Sequence, residues 1–390
     1  MIPYGRHYVD EDDIQAVVNV LRSGTLTQGP IIEQFENEIA AYVGAKYAVA
    51  VSSATAGLHL AALTAGVGPG STLITSPITF IASANAGLYA GGNVNFADID
   101  SHTINMSPEL LREALNKNLN TKAVIPVHFA GLPCDMLAIK ALADQGGTVV
   151  IEDAAHALGA YYSDGNKVGS CSHSHMTVFS FHPVKSIATG EGGMITTNDE
   201  ALYRKLLRLR SHGINKLDDA FELSSQAKTD GEVNPWYYEM QELGFHYRIT
   251  DIQCALGLSQ LKKLNQFISR RRALAKKYDE AFADLKTCRP TQVEGRDYSA
   301  NHLYVLRVDF KRLGITRPIL MKILKEKGVG SQVHYIPVPM QPYYRKQGSN
   351  VKNFPNSLNY YEEALSIPLF YNLTNLEQLS IIKIFRELLY

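Results

Sequence analysis

Apolar residues along the first half of the chain fall into two alternating patterns. Short runs rich in β-branched residues predict strands, and apolar residues at helical spacing between them predict amphipathic helices. The predicted strands are 46–51, 72–75, 94–97, 123–128, 148–151, 177–181 and 194–197. The predicted helices are 10–21, 31–42, 108–116, 135–144 and 200–210, with further helices opening near residues 53 and 77. This regular alternation predicts a mostly parallel sheet covered by helices on both faces.

The second half begins with a long helical region at 250–285, whose many lysines and arginines are interpreted as a solvated face. It leads to a smaller α/β unit with predicted strands at 303–308 and 331–335 and a helix at 317–327. A chain of 390 residues is long enough for two domains. We therefore predict an α/β protein with a large sheet domain at 1–249. The long connecting helix and a small C-terminal α/β domain follow at 250–390.

Composition and charge limit the kinds of partner that this protein binds and the cell compartment in which we expect it. The 38 basic and 38 acidic residues balance, so no net charge favours nucleic acid or a membrane surface. No apolar run approaches the ~20 residues of a membrane span, and acidic residues interrupt the start where a secretory signal would lie. The four cysteines are far apart and form no CxxC pair, which is typical of reduced thiols. These features predict a soluble, cytoplasmic protein.

One predicted strand end has the features of a phosphate site. Residues 52–57 (SSATAG) follow the strand at 46–51 and begin a helical pattern. Backbone N–H groups at such a helix start, here those of Ala54 and Thr55, can bind phosphate without a lysine. A helix cap with no ligand is the simpler interpretation of this motif alone. The GxxxxGK[ST] loop of nucleoside-triphosphate hydrolases does not occur in the sequence.

A second strand end carries Asp153, with His156 one helical turn beyond it. A carboxylate there could keep a pyridine nitrogen protonated, and an imidazole could lie over the same ring. Alternatively, Asp153 caps a helix and His156 is incidental. The nearby pair His173 and His175 lacks further residues at metal-ligand spacing, so we interpret it as a loop and predict no metal.

Lys185 lies in a bend between two apolar strands, after Pro183 and before the glycine-rich segment 190–193. An ammonium group is costly to desolvate, so lysine is usually absent from such places. A desolvated lysine loses its proton more easily, and the free amine forms Schiff bases with aldehydes. A surface lysine in a loop is the alternative. Taken together, however, a phosphate-binding helix start, an acid and a lysine at strand ends of one sheet are what pyridoxal phosphate (PLP) requires.

Several motifs that follow one another along the chain resemble those of the DegT/StrS-type sugar-nucleotide aminotransferases. They are residues 52–57 (SSATAG), 151–156 (IEDAAH), 179–185 (FSFHPVK), 191–193 (EGG) and 244–251 (GFHYRITD). The resemblance covers essentially the whole chain. It implies the fold of the aspartate-aminotransferase-like (fold type I) PLP enzymes, and a homodimer with active sites at the subunit interface.

Carried over residue by residue, the resemblance implies a role for each motif position. Lys185 would be the residue that bonds to PLP and transfers protons, Asp153 would pair with the pyridine nitrogen, and His156 would lie against the ring. The remaining cofactor contacts would come from Ala54, Thr55, Phe80, Ser180 and His246. The substrate cleft would be lined by Tyr4, Gly24, Thr25, Leu26, Thr27, Gln332, Val333, His334 and Tyr335. Most relatives have asparagine where this chain has His246. In this chain the contact with the phosphate of the neighbouring subunit's cofactor would therefore come from an imidazole instead of an amide.

The resemblance also implies the substrates, a UDP-linked 4-keto sugar and L-glutamate as the amino donor. Segments 26–29, 76–85, 301–304, 332–338 and 341–344 are similar to members that act on such a UDP-sugar. The same chemistry on another UDP-, dTDP- or GDP-linked 4-keto sugar is the alternative within the class. A PLP-dependent dehydratase is disfavoured because relatives of that kind replace the lysine with histidine. A non-catalytic protein with this fold is disfavoured because Lys185 and Asp153 are both present.

Overall fold

A computed structural model describes residues 1–216 and 221–389 of the chain. The helices are α1 (Glu11–Arg22), α2 (Pro30–Val43), α3 (Ala54–Thr64), α4 (Ala82–Tyr89), α5 (Pro108–Lys117), α6 (Met136–Gln145), α7 (Glu200–Arg210), α8 (Ser224–Ala227), α9 (Asp251–Phe282), α10 (Phe310–Leu313), α11 (Arg317–Glu326), α12 (Pro342–Lys346), α13 (Pro355–Glu363) and α14 (Asn375–Leu389). The strands are β1 (Tyr47–Val51), β2 (Thr72–Thr75), β3 (Asn93–Phe96), β4 (Thr121–Ile125), β5 (Val149–Asp153), β6 (Met176–Ser180), β7 (Gly193–Thr197), β8 (Ile214–Asn215), β9 (Lys228–Thr229), β10 (Glu232–Val233), β11 (Glu239–Met240), β12 (Cys288–Pro290), β13 (Tyr304–Val308) and β14 (Ala364–Ile367).

The predicted mixed, mostly parallel sheet is confirmed. In the described residues it has seven strands in the order β1-β7-β6-β5-β4-β2-β3. The pairs β2–β3, β2–β4, β4–β5 and β5–β6 are parallel. Strand β7 runs antiparallel to both of its neighbours, β1 and β6. The fold is therefore α/β, as the strand–helix alternation predicted.

Each face of the sheet packs against its own layer of helices, because successive side chains of a strand point to opposite faces. One core joins residues of α3, α4 and α7 to Ile151 of β5, Val178 of β6 and Ile195 of β7. The other core joins residues of α2, α6 and α9 to Val150 of β5 and Phe179 of β6. Both layers bury apolar side chains against one central sheet, which is the architecture expected of this fold class.

The C-terminal unit is built on a three-stranded antiparallel sheet of the described residues, in the order β12-β13-β14. Its core packs against the second half of α9 through Tyr278 and Phe282. The chain start also joins this unit, since the N–H of Ile2 donates to the carbonyl of Gly328 (2.8 Å). The division at residues 249 and 250 stays a prediction.

A shared cluster ties the C-terminal unit to the large sheet. Ile78, Ile99 and Phe129 from the sheet side pack with Leu303 and Tyr360 in this cluster. We call it the interdomain cluster. A hydrophobic cluster that draws on both units stabilises one arrangement of the two.

Two local predictions are wrong. Residues 331–335 do not form a strand, because only Gln332 pairs, in a single bridge to Ser366, while Val333 and Tyr335 pack against the interdomain cluster. Residues 77–80 form a turn, and α4 begins at Ala82. Strand β4 also ends at Ile125, earlier than predicted, and beyond Pro126 the pairing with β5 is a single bridge between Val127 and Asp153. Within the described ranges, no helix has the length and apolar character needed to cross a membrane.

Candidate active site

A cavity of 440 Å³ lies where β5 and β6 end. Ligands in parallel α/β sheets bind at this edge. The sequence-predicted residues that line the cavity are Tyr4, Ala54, Thr55, Phe80, Asp153, His156, Ser180, Lys185, His334 and Tyr335. The fold thus brings together most of the residues that the motifs singled out, from both halves of the chain.

Asp153 is the last residue of β5, and it is buried with both carboxylate oxygens bonded. The hydroxyl of Ser83 donates to Oδ2 (2.5 Å) and the backbone N–H of Ala155 donates to Oδ1 (3.1 Å). Hydrogen bonds from neutral donors stabilise the ionised form of a carboxylate. These two bonds hold the Asp153 carboxylate in one orientation on the cavity wall.

Lys185 lines the same cavity, in the bend that follows β6. Its backbone N–H donates to the carbonyl of His182 (2.8 Å), which holds the turn. Burial lowers the pKa of Lys185 to about 8, against the opposing effect of the Asp153 charge, which raises it. About a tenth of the Lys185 side chains are therefore the neutral, nucleophilic amine at pH 7, a far larger share than an ordinary lysine pKa of about 10.4 would give.

Three buried imidazoles line the cavity with Asp153 and Lys185, namely those of His156, His302 and His334. Burial, followed by the nearby positive groups, lowers the pKa of His156 and of His302 well below the ordinary value. Burial and the charge of Lys185 lower the pKa of His334 to about 3. At neutral pH these rings are uncharged. They can therefore make hydrogen bonds and ring contacts without a positive charge that would compete with Lys185 for the Asp153 carboxylate.

His156 is fixed on one side and unpaired on the other. Its Nε2 lies 3.2 Å from the hydroxyl of Tyr335, and its ring centroid is 4.4 Å from that of His302. Its Nδ1 is buried and has no partner among the described residues. A buried nitrogen without a partner is costly, and a ligand in the cavity is one way to satisfy it.

The start of α3 forms a cradle for an anion. Ser53 caps the helix by accepting from the N–H of Ala56 (3.1 Å), and the first-turn N–H groups of Ala54 and Thr55 have no acceptor within the helix. Ser180 on β6 pairs in register with Gly193 on β7. A Cβ on Gly193 would lie 2.6 Å from the nitrogen of Ala54, so only glycine lets β7 approach this helix start. Such a helix start is suited to a phosphate group.

The remaining predicted residues lie outside the cavity that this chain forms. The turn at 24–27 is exposed, with Thr27 bridged to Thr250 at the start of α9. His246 is also exposed, with its Nε2 3.2 Å from Nη2 of Arg248. Gln332 and Val333 lie beside the cavity residues His334 and Tyr335 without lining it. Their predicted roles in the site stay predictions.

Some residues of the site lie outside the sequence motifs and were not predicted. Ser83 bonds to Asp153, Thr79 bonds to Ser83, and the ring of His302 packs at a tilt against that of His156. Glu191 and His182 also line the cavity. Ser83 and His302 fall within segments 76–85 and 301–304 that carried the family resemblance, but no spacing in the sequence marks their contacts. In the described ranges no group of three or more His, Cys, Asp or Glu side chains could hold a metal ion.

The residues present fit PLP. The cradle at the start of α3 suits its phosphate, Asp153 suits its ring nitrogen, and the amine of Lys185 suits its aldehyde. The unpaired Nδ1 of His156 is a further polar group left for a ligand. On this mixed sheet, such a combination defines the class of fold type I PLP-dependent enzymes.

Comparison with known proteins agrees with that class. Residues 7–386 match the profile of the DegT/DnrJ/EryC1/StrS aminotransferase family, and the chain belongs to this family. The chain is therefore a PLP-dependent aminotransferase.

Individual relatives are similar over nearly their whole lengths. The spore coat polysaccharide biosynthesis protein SpsC of Bacillus subtilis is 42% identical over 389 residues, which is 99% of this chain and 97% of that protein. Helicobacter pylori PseC, an aminotransferase involved in the biosynthesis of pseudaminic acid, has a TM-score of 0.89 at 30% identity, covering 100% of this chain and 99% of that one. The sugar aminotransferase Spr1654 of Streptococcus pneumoniae, in its PMP form, has a TM-score of 0.89 at 29% identity, covering 100% of this chain and 99% of that one.

Proposed function

We propose that this aminotransferase moves the amino group of L-glutamate to C4 of a UDP-linked 4-keto-6-deoxy-N-acetylhexosamine. The product would be UDP-4-amino-4,6-dideoxy-N-acetyl-β-L-altrosamine, a precursor of pseudaminic acid. The observation that carries the proposal is the full-length structural likeness to H. pylori PseC at 30% identity. The segments at 26–29, 76–85 and 332–338 support it, because two of the three contribute residues to the cavity wall.

The chain's own residues account for the parts of such a reaction. Bound PLP supplies an aldehyde carbon that can carry the amino group between the two half-reactions and a ring that accepts electrons. Asp153 would hold the proton on the ring nitrogen, while the α3 start and Ser180 would bind the phosphate. Lys185 would hold the aldehyde carbon and then move the proton at the reacting carbon of each substrate. A lysine with a pKa of about 8 is suited to both giving and taking that proton near neutral pH.

We further propose a homodimer with active sites at the subunit interface. The turn at 24–27 and His246 support this, since the family resemblance assigns them to the site although they lie outside the cavity of their own chain. A second copy could bring these residues to the cavity. We also propose a cytoplasmic location, which the free, buried thiols of Cys134, Cys171, Cys254 and Cys288 support.

The test is a glutamate-dependent amination assay with the purified protein and the UDP-linked 4-keto sugar, with the product identified by mass spectrometry. Wild-type protein should form the amino sugar and 2-oxoglutarate in equal amounts. Lys185→Ala should show no turnover, whereas the matched control Lys277→Ala, at an exposed site on α9, should match wild type. Turnover by Lys185→Ala, or no product from this substrate with wild type, would contradict the proposal.

A second candidate is the same chemistry on another nucleotide-linked 4-keto sugar. It is favoured by one observation, namely that the chain is more similar to SpsC, at 42% identity, than to PseC, at 30%. Competition among UDP-, dTDP- and GDP-linked 4-keto sugars in the same assay separates the two candidates. Preferred use of a dTDP- or GDP-linked sugar would support the second.

A further inference from the structure

Two hydroxyl groups connect the cavity wall to Asp153. Ser83, in the first turn of α4, is fully buried, and its Oγ donates to Oδ2 of Asp153 (2.5 Å). Thr79 lines the cavity, and its Oγ1 lies 2.7 Å from Oγ of Ser83. A serine hydroxyl in a helix commonly either points to solvent or bonds to the carbonyl four residues earlier. Here its hydroxyl bonds instead to two side chains, one of them on a strand 70 residues away.

The direction of these hydrogen bonds follows from the number of hydrogens. Ser83 has one hydroxyl hydrogen, and it is donated to the carboxylate, so the oxygen of Ser83 accepts from the hydroxyl of Thr79. Each donation polarises the next one, which strengthens the bond that reaches the charged group. Because Ala155 donates to the other oxygen, Asp153 has one fixed donor on each side of its carboxylate.

We propose that Ser83 is a positioning residue for Asp153, supported by Thr79. It fixes the plane of the carboxylate and stabilises its charge, so that Asp153 holds the proton on the ring nitrogen of bound PLP. Short hydrogen bonds to a charged group are among the stronger ones in proteins. The inference concerns the cofactor and does not depend on which sugar or nucleotide the enzyme takes.

The first measurement is the affinity of cofactor-free protein for PLP, followed by fluorescence titration. Ser83→Ala should bind PLP at least about tenfold more weakly, because tenfold corresponds to ~1.4 kcal/mol and a hydrogen bond to a charged group contributes at least that much. The second measurement is the ¹⁵N chemical shift of labelled PLP bound to the protein, which reports ring-nitrogen protonation without turnover. The wild type should show a protonated nitrogen, and Ser83→Ala should show partial loss of that proton.

The matched control is Ser76→Ala. Ser76 is also buried in the same region, but its hydroxyl bonds to the backbone of Ile78 (3.3 and 3.5 Å). This variant should keep the wild-type affinity and chemical shift. Equal losses in both variants would mean that any buried hydroxyl here merely supports packing, and the proposal would be wrong. A Ser83→Ala protein identical to wild type in both measurements would also overturn it.

Should Ser83→Ala fail to fold, as judged by circular dichroism, Thr79→Val decides the question. It keeps the bond from Ser83 to Asp153 and removes only the donation to Ser83. We expect a smaller change of the same sign in both measurements. A wild-type affinity and chemical shift in Thr79→Val would then overturn the proposal.

Discussion

Glu152 precedes Asp153 on β5 and, because strand side chains alternate, it points away from the cavity into the opposite core layer. Its carboxylate is fully buried. Its four hydrogen-bond donors are His128 Nε2 (2.6 Å), Ser174 Oγ (2.5 Å), Thr177 Oγ1 (2.8 Å) and the hydroxyl of Tyr162. Burial opposes the charge of Glu152, but the bond from His128 and the other donors lower its pKa below the ordinary value.

Two substitutions at this position should differ in a way that the geometry predicts. Glutamine keeps one oxygen, which can still accept from His128 and Tyr162, and its amide can donate to hydroxyls that rotate to accept. We expect Glu152→Gln to lower the free energy of unfolding by ~2 kcal/mol, the cost of imperfect pairing in a buried site. Leucine accepts no hydrogen bond from any of the four donors, and the buried Nε2 of His128 would be left without its acceptor. We expect Glu152→Leu to cost at least ~4 kcal/mol, even after the removal of one buried charge.

The assay is urea unfolding of cofactor-free protein followed by far-ultraviolet circular dichroism, with linear extrapolation to water. The cofactor is left out because bound PLP would add stability by mass action. Asp164→Asn is the control, since it removes a carboxylate contact to His173 (2.7 Å) at the surface and should leave the unfolding midpoint near wild type. The reasoning is refuted if Glu152→Leu lies within ~1 kcal/mol of wild type, or if Glu152→Gln is the less stable of the two.

Three further outcomes follow from the site. Because the pKa of Lys185 is about 8, stopped-flow absorbance should show covalent binding of PLP to cofactor-free protein speeding up about tenfold per pH unit below pH 8 and levelling off above it. In Asp153→Asn, which removes the charge that raises this pKa, the midpoint should move to lower pH, and an unchanged midpoint would count against the assignment. Gly193→Ala should weaken PLP binding by at least about tenfold in an equilibrium titration while barely affecting phosphate-free pyridoxal, since the added Cβ would lie 2.6 Å from the helix start that binds the phosphate. Tyr335→Phe leaves Nε2 of His156 without its hydroxyl at 3.2 Å, and denaturation should show a loss of ~1 kcal/mol; no loss would mean that the contact does not stabilise the fold.

The sequence was sufficient for the parts of the site that local pattern decides. Asp153 ends a strand, and Lys185 and the helix start at Ala54 each follow one. All three strands are recognisable from their own residues, and parallel strands end at one edge of a sheet. The parallel strands of the sheet followed from the same alternation, whereas the antiparallel direction of β7 is seen only in the structure. Local periodicity was enough because each element is long or strongly apolar.

The sequence was insufficient where contacts join distant elements. Nothing near Ser83 shows that its hydroxyl bonds to an acid 70 residues later, and nothing near His302 shows that its ring packs against that of His156. Residues 331–335 alternate as a strand does, yet only Gln332 pairs with β14 while His334 and Tyr335 turn into the cavity. Tertiary packing overrode the local preference there.

Glu152 and Asp153 are neighbouring acids on β5 that point to opposite faces of the sheet, so the alignment of this strand decides which acid reaches the cavity. A shift of β5 by one residue would place the longer side chain of Glu152 among the imidazoles of the cavity. It would also leave the shorter side chain of Asp153 far from the hydroxyls of Ser174 and Thr177. The hydrogen bonds that Glu152 accepts therefore stabilise the correct alignment of β5. Polar pairing on one face of the sheet in this way positions Asp153 on the other face. A redesign of the core layer around Glu152 should therefore keep its hydrogen bonds, because they help to position the active-site carboxylate on the other face of the sheet.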